Sequence, residues 1–193
     1  MLQRLNDHEQ LQILFDQFNF KLHVPGAASD TLMLRWWMEL HETGDITKLF
    51  HADSFDLESF LQLFKPPTYL VYDFNESNTI EQASWAKPVS NILNERTAFN
   101  GIWTRPFLRG KPRQLLFTHL TYKAAFGFFD AIVGMTWQPE LLAIHAKMGY
   151  DVVGVLPDFM GHELVYLVRV TKEKYFDSRL AQAGEKLLNK EIG

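Results

Sequence analysis

The chain has 193 residues, 47% of them apolar and 22% charged, with no cysteine and a net charge of −4. The lack of cysteine excludes disulfides, zinc–thiolate sites, iron–sulfur clusters and thiol nucleophiles together. The acidic balance argues against a dedicated nucleic-acid binder, which needs a strong basic field, and no run approaches the ~18 apolar residues of a membrane span.

The length predicts one domain over residues 1–193. Met1 to Asp7 carry no apolar core of a secretory signal, so the expected location is the cytoplasm. Met1 to Leu5 alternate apolar and polar residues and predict a short strand. Asn6 or Asp7 caps a helix whose apolar face is Leu11, Leu14, Phe15 and Phe18. Pro25-Gly26 breaks the chain, and Ser29 or Asp30 caps a second helix through Trp36, Trp37 and Leu40, closed near Gly44. Asp56 caps a third helix with Leu57, Phe60, Leu61 and Phe64 on one face, stopped by Pro66-Pro67.

The texture then turns β-branched and aromatic. Residues 68–74 predict a strand, Asn75 to Asn78 a turn, and 79–85 the returning strand. Residues 97–105 predict another strand, ending at Pro106. Leu108-Arg109-Gly110-Lys111-Pro112-Arg113 is a basic turn, and Pro112 suits the first position of a helix that continues to Gly127. Phe128 to Thr136 is a buried type of strand with one charge, Asp130. Pro139 opens a helix with Leu141, Leu142, Ile144, His145 and Met148, closed by Gly149. Residues 150–156 and 162–170 are expected to pair across a loop at 157–161. Residues 172–190 form a charged amphipathic tail helix, fit for docking or for a homodimer contact. Strands alternating with helices indicate an α/β fold with a mixed sheet covered on both faces.

The strand–turn–helix over residues 102–117 carries the most chemistry. The first N–H groups of a helix lack intrahelical partners, and the helix dipole favours an anion there. Arg109, Lys111 and Arg113 add charge-assisted donors, and Gly110 permits close backbone approach. Trp103 and Arg105 share one face of the strand, with Ile102 and Thr104 on the other. Trp36 and Trp37 point about 100° apart on their helix, so one at most faces a given cleft. The histidines His8, His23, His41, His51, His119 and His162 show no metal-ligand spacing, and no metal is expected. No Walker loop, dinucleotide fingerprint, nucleophile elbow or metalloprotease motif is present.

The segment Gln138-Pro139-Glu140-Leu141-Leu142-Ala143-Ile144-His145-Ala146-Lys147-Met148-Gly149-Tyr150 resembles a motif of the GNAT superfamily of acyl-CoA-dependent N-acyltransferases. That motif runs Asn, small or apolar residues, Tyr, then Lys-x-Gly-Phe. The resemblance spans nearly the whole chain. Residues 1–18 are similar to the family's first strand and helix, 69–85 to its central hairpin, 101–117 to its coenzyme A-binding motif, and 151–170 to its closing hairpin. Residues 26–67 are a helical segment longer than the family usually has before its second strand, in a region that borders the acceptor site. The resemblance implies a GNAT-like mixed sheet that splays between the strand ending at Arg105 and the strand starting near Phe128, with the acyl thioester in the splay. It implies acetyl-CoA or another acyl-CoA as co-substrate, held by Trp103, Thr104, Arg105, Leu108, Arg109, Gly110, Lys111 and Arg113, and along the strand chiefly through backbone.

The family's frequent general acid is the Tyr seven residues after the motif's Asn. That position holds His145, whose imidazole would protonate the departing thiolate. A strand N–H would hold the oxyanion. Candidate bases for the attacking amine are Glu81, Glu95, Asp73 and Asp130; Asp130 is either buried in its apolar strand, which would raise its pKa, or a strand-end charge. Trp36 or Trp37 would wall the acceptor site. The sequence departs from the family's Gln/Arg-x-x-Gly-x-Gly/Ala loop, where it reads Phe107-Leu108-Arg109-Gly110-Lys111-Pro112. Pro112 removes one N–H from the cradle. Two alternatives follow: a binding or structural protein that keeps the fold without acyl-CoA, or a nucleic-acid modifier similar to some phage base-modification proteins. The acceptor, a small molecule or a protein amine, is not specified.

Overall fold

The computed structural model describes residues 12–23, 30–50, 56–65, 68–74, 79–89, 96–159 and 161–192. Helix α1 covers 12–17. It is followed by β1 (Phe20–His23), α2 (Asp30–Glu42), α3 (Ile46–Phe50), α4 (Leu57–Leu63), β2 (Tyr69–Phe74), β3 (Ile80–Val89) and β4 (Thr97–Thr104). A 3-10 turn (Pro106–Leu108) leads to α5 (Pro112–Phe128), β5 (Ala131–Thr136), α6 (Pro139–Lys147), β6 (Asp151–Phe159), β7 (His162–Thr171), α7 (Lys172–Phe176) and α8 (Arg179–Ile192). The sheet is mixed and seven-stranded, in the order β1-β2-β3-β4-β5-β7-β6. β4 and β5 run parallel, while β1–β2, β2–β3, β5–β7 and β6–β7 are antiparallel. The expected strand at Met1 to Leu5, the break at Pro25-Gly26, the turn at Asn75 to Asn78 and the base candidate Glu95 lie outside the described residues.

The chain divides into two compact units, with β4 crossing from one to the other between Asn100 and Gly101. The first unit holds the described residues up to Lys87 together with Gly101–Arg109. Met33, Trp36 and Leu40 fall on one face of α2, as the helical period demands. They meet Phe60 and Phe64 of α4 and Tyr72, Ala83, Trp85 and Trp103 of the strands. Trp36 is the hub, with ring centroids 5.4 Å from Phe60 and Phe64, 6.1 Å from Trp85 and 5.9 Å from Trp103. The Trp85 ring lies across the backbone of Gly101, where an added Cβ would collide with it. Asp56 caps α4 as expected, accepting from the Ser59 N–H at 2.8 Å.

The second unit holds residues 88–100 and 110–193. Its core joins Tyr122 and Phe126 of α5, Ile132 of β5, Val168 and Val170 of β7, and Met148, Tyr150 and Tyr175. Register between β4 and β5 covers Thr97↔Ala131, Ala98↔Ile132 and Phe99↔Val133 and then stops, although both strands continue.

Four local expectations are corrected. α5 runs on through Phe128 and hands its last carbonyls to Phe129, so β5 begins at Ala131. Residues 124–129 are almost uniformly apolar and carry no period to mark the boundary. β6 continues through Pro157 to Phe159, because an edge strand tolerates a missing N–H. The tail helix breaks at Asp177-Ser178, where the Ser178 hydroxyl accepts from the Ala181 N–H at 3.2 Å and starts α8. The short elements β1 and α3 were not expected at all.

Candidate functional site

The turn before α5 forms as the residues dictate. Gly110 takes φ +74°, Lys111 occupies the N-cap without a side-chain cap, and Pro112 opens the helix. Nothing lies within 4 Å of the position a Gly110 Cβ would take, so the loop is open on that side. Lys111 and Arg113 are exposed. The Gly110 N–H donates to the Gln114 side-chain oxygen at 2.6 Å. Gly110 precedes the N-cap, so this bond occupies the N–H just outside the helix and leaves the first-turn donors untouched. The signal was in the sequence, four residues downstream.

The strand residues expected beside the turn are engaged elsewhere in the first unit. Trp103 is buried and its indole N–H donates to Asp45 at 3.0 Å. Arg105 forms an ion pair with Glu39 and donates to the Ile80 carbonyl at 3.1 Å. Arg109 donates through Nε to the Thr104 carbonyl at 3.1 Å, which ties the turn to the end of β4. The Thr104 hydroxyl is buried without a partner. Leu108 is half-buried. The side chains of Trp103 and Arg105 are therefore packing and pairing groups, while Gly110, Lys111 and Arg113 lie at the helix start.

His145 lies in the last turn of α6, half-buried, with its ring centroid 5.0 Å from that of Tyr150. Its Nδ1 is buried and has no hydrogen-bond partner. Burial lowers its pKa, so the ring is neutral at neutral pH. Gly149, at φ +84°, closes the helix and lets the Tyr150 N–H donate back to the His145 carbonyl at 3.0 Å. Tyr150 in turn meets Tyr122, hydroxyl to hydroxyl, at 2.7 Å, and the Tyr122 hydroxyl donates to the Asn100 side-chain oxygen at 3.1 Å. No sequence spacing announces this set, because its members come from β4, α5 and the start of β6.

Of the two alternatives for Asp130, the structure shows the charge beside the strand and not the buried acid. Its carboxylate accepts from the Arg96 guanidinium at 2.6 and 3.1 Å and from the Arg96 backbone N–H at 3.1 Å. These bonds hold its pKa at about 2, which leaves a weak base. A depressed carboxyl pKa stabilises the fold above its ordinary value and loses that effect as pH falls through the native value. The expected result is a stability gap between wild type and Arg96→Met that is full above about pH 4 and closes toward about pH 2, read by urea unfolding across that range. Solvent screening of this exposed pair keeps the gap small.

Asp73 is fully buried and accepts from the Gln82 amide at 3.1 Å, so it does not face solvent as a base would. Trp36 is corrected from pocket wall to core, being 1% exposed. Trp37 is half-buried against the His41 ring at 4.1 Å. Among the described residues no group of three or more metal-ligating side chains is assembled, and no helix is long and apolar enough to cross a membrane.

No family model matches the chain, and no curated protein matches its sequence. Solved structures do match. The spermidine N-acetyltransferase of Vibrio cholerae, in complex with CoA and spermine, superposes with a TM-score of 0.61 at 13% identity, over 82% of this chain and 99% of that one. Mycobacterium smegmatis RimJ, in complex with CoA-disulfide, gives 0.60 at 14% identity, over 89% and 88%. The ribosomal-protein-S5-alanine acetyltransferase of Vibrio fischeri gives 0.59 at 11%, over 81% and 95%.

Proposed function

From the premise that this chain has the GNAT N-acetyltransferase fold, we propose that it is an acyl-CoA-dependent N-acyltransferase acting on an amine. The observation that carries the reading is the conjunction, on that fold, of a β4–β5 pairing that stops at Phe99↔Val133 with an open glycine turn and two exposed basic residues at the start of α5. Lys111 and Arg113 would hold a pyrophosphate by charge, and the Gly110 N–H would join them once Gln114 swings away. When bound, an acyl-CoA supplies a thioester carbonyl and a thiolate leaving group. The chain's own contribution is positioning and proton transfer. The amine nitrogen bonds the carbonyl carbon, the carbon–sulfur bond breaks, and one proton passes from nitrogen to sulfur. Neutral His145 suits that transfer: it accepts the proton from the attacking amine and returns it to the thiolate. Asp130 is held by Arg96 and Asp73 is buried, and we assign both directions to His145 ahead of Glu81.

A second reading, a binding or structural protein that keeps the fold, is favoured by one observation, the Gln114 oxygen already seated on the Gly110 N–H beside the donor-less Pro112.

The test is thiol release from acetyl-CoA with a panel of small amines, peptide N-termini and protein lysines. The expected result is release with at least one acceptor class, reduced about a hundredfold in His145→Gln. Release with no acceptor, from a folded sample, contradicts the enzyme reading.

A further inference from the structure

We propose that Tyr122 is a positioning residue, whose hydroxyl fixes the point where β4 leaves β5 relative to the end of α6 that carries His145. The inference rests on the acyltransferase reading.

The hydrogen-bond directions follow from counting. A tyrosine hydroxyl has one hydrogen. Tyr122 gives it to the Asn100 side-chain oxygen at 3.1 Å. The 2.7 Å contact with Tyr150 is then made by the Tyr150 hydrogen, and the chain runs Tyr150 to Tyr122 to Asn100. Its ends are informative. Asn100 is the first β4 residue beyond the three that pair with β5. Tyr150 packs its ring on His145 and sends its backbone N–H to the His145 carbonyl. The middle is rigid, since the Tyr122 ring stacks on Tyr175 with centroids 4.8 Å apart and planes at 18°. Burial pushes both hydroxyls of the pair well above the ordinary tyrosine value, so they stay protonated and keep these roles across the physiological range.

A core needs none of this. Phenylalanine at 122 and 150 would fill the same space without desolvating two hydroxyls, and burying polar groups that must then be satisfied specifies one arrangement above others. The buried chain sits where strand pairing ends and spans from that point to the helix carrying the proton-transfer group. A shift of about 1 Å at such a point is enough to weaken a reaction or its substrate complex by one or two orders of magnitude.

The test compares acetyl-CoA affinity by calorimetry with thermal stability, for wild type, Tyr122→Phe, Tyr150→Phe and Leu188→Ala. Leu188 is buried on α8 and takes no part in the hydrogen-bonded chain. The expected result is an affinity loss of about tenfold or more in Tyr122→Phe, a smaller loss in Tyr150→Phe, which keeps the Asn100 bond, and wild-type affinity in Leu188→Ala despite its lower melting temperature. If Tyr122→Phe does not fold, Tyr150→Phe against Leu188→Ala decides alone. Wild-type affinity in the tyrosine variants, or an equal loss in Leu188→Ala, overturns the positioning role and leaves the acyltransferase reading standing. Failure of the wild type itself to bind overturns that reading and the positioning role with it.

Discussion

Gly149→Ala is expected to destabilise the fold by about 3 kcal/mol or more, measured by urea unfolding at neutral pH. Two effects add. Position 149 sits at φ +84°, and a non-glycine residue there costs about 1–2 kcal/mol. An alanine Cβ would also collide with the Lys174 carbonyl group, its carbon 2.9 Å away. Backbone cannot turn aside as a side chain can, and Lys174 is fixed by the α7 cap, where its N–H donates to the Thr171 hydroxyl at 3.4 Å. Gly110→Ala is the matched control. Its φ of +74° is similar, but nothing lies within 4 Å of the new Cβ, so the expected loss is the conformational part alone, about 1–2 kcal/mol. Equal losses at the two glycines would refute the steric account. The effect at Gly149 reaches the site, because the same turn sets the hydrogen bond from Tyr150 to the His145 carbonyl.

Trp36→Ala is the second large effect, expected at about 3–5 kcal/mol. The side chain is fully enclosed by Phe60, Phe64, Trp85 and Trp103, and these rings cannot close the space without leaving their edge-to-face contacts with one another. Trp37→Ala removes a half-buried ring and is expected to cost clearly less. The comparison separates the two neighbours by role. A stability loss at 37 equal to that at 36 would mean that both are core.

The periodic elements were legible. The apolar spacing of α2 and α4, the Asp56 cap, the glycine closures at 44 and 149 and the proline openings at 112 and 139 all follow from local rules, and each appears where the residues place it. The short pieces were not. β1 spans four residues and α3 five, too few for a period to declare itself. The site divides along the same line. Gly110 and Pro112 act through their own backbone, so their neighbours in sequence are enough to read them. Trp103, Arg105 and Asp130 are defined by partners far along the chain, such as Asp45 at 58 positions from Trp103 and Arg96 at 34 from Asp130. Composition left Asp130 open between burial with a raised pKa and a strand-end charge, and the arginine that the fold brings alongside decides for the second. The Tyr150–Tyr122–Asn100 chain was invisible for the same reason, since each residue alone reads as an ordinary part of a strand or helix.

In the proposed function the turn at Gly110 receives the phosphates of an acyl-CoA. Calorimetric titration of acetyl-CoA into wild type, Gly110→Trp and the double variant Lys111→Glu/Arg113→Glu tests it most directly. The expected result is micromolar binding to the wild type, loss of it in both variants, and weakening with added salt as the basic side chains are screened. Absence of binding to a folded wild type at millimolar acetyl-CoA, or undiminished binding in both variants, would contradict it.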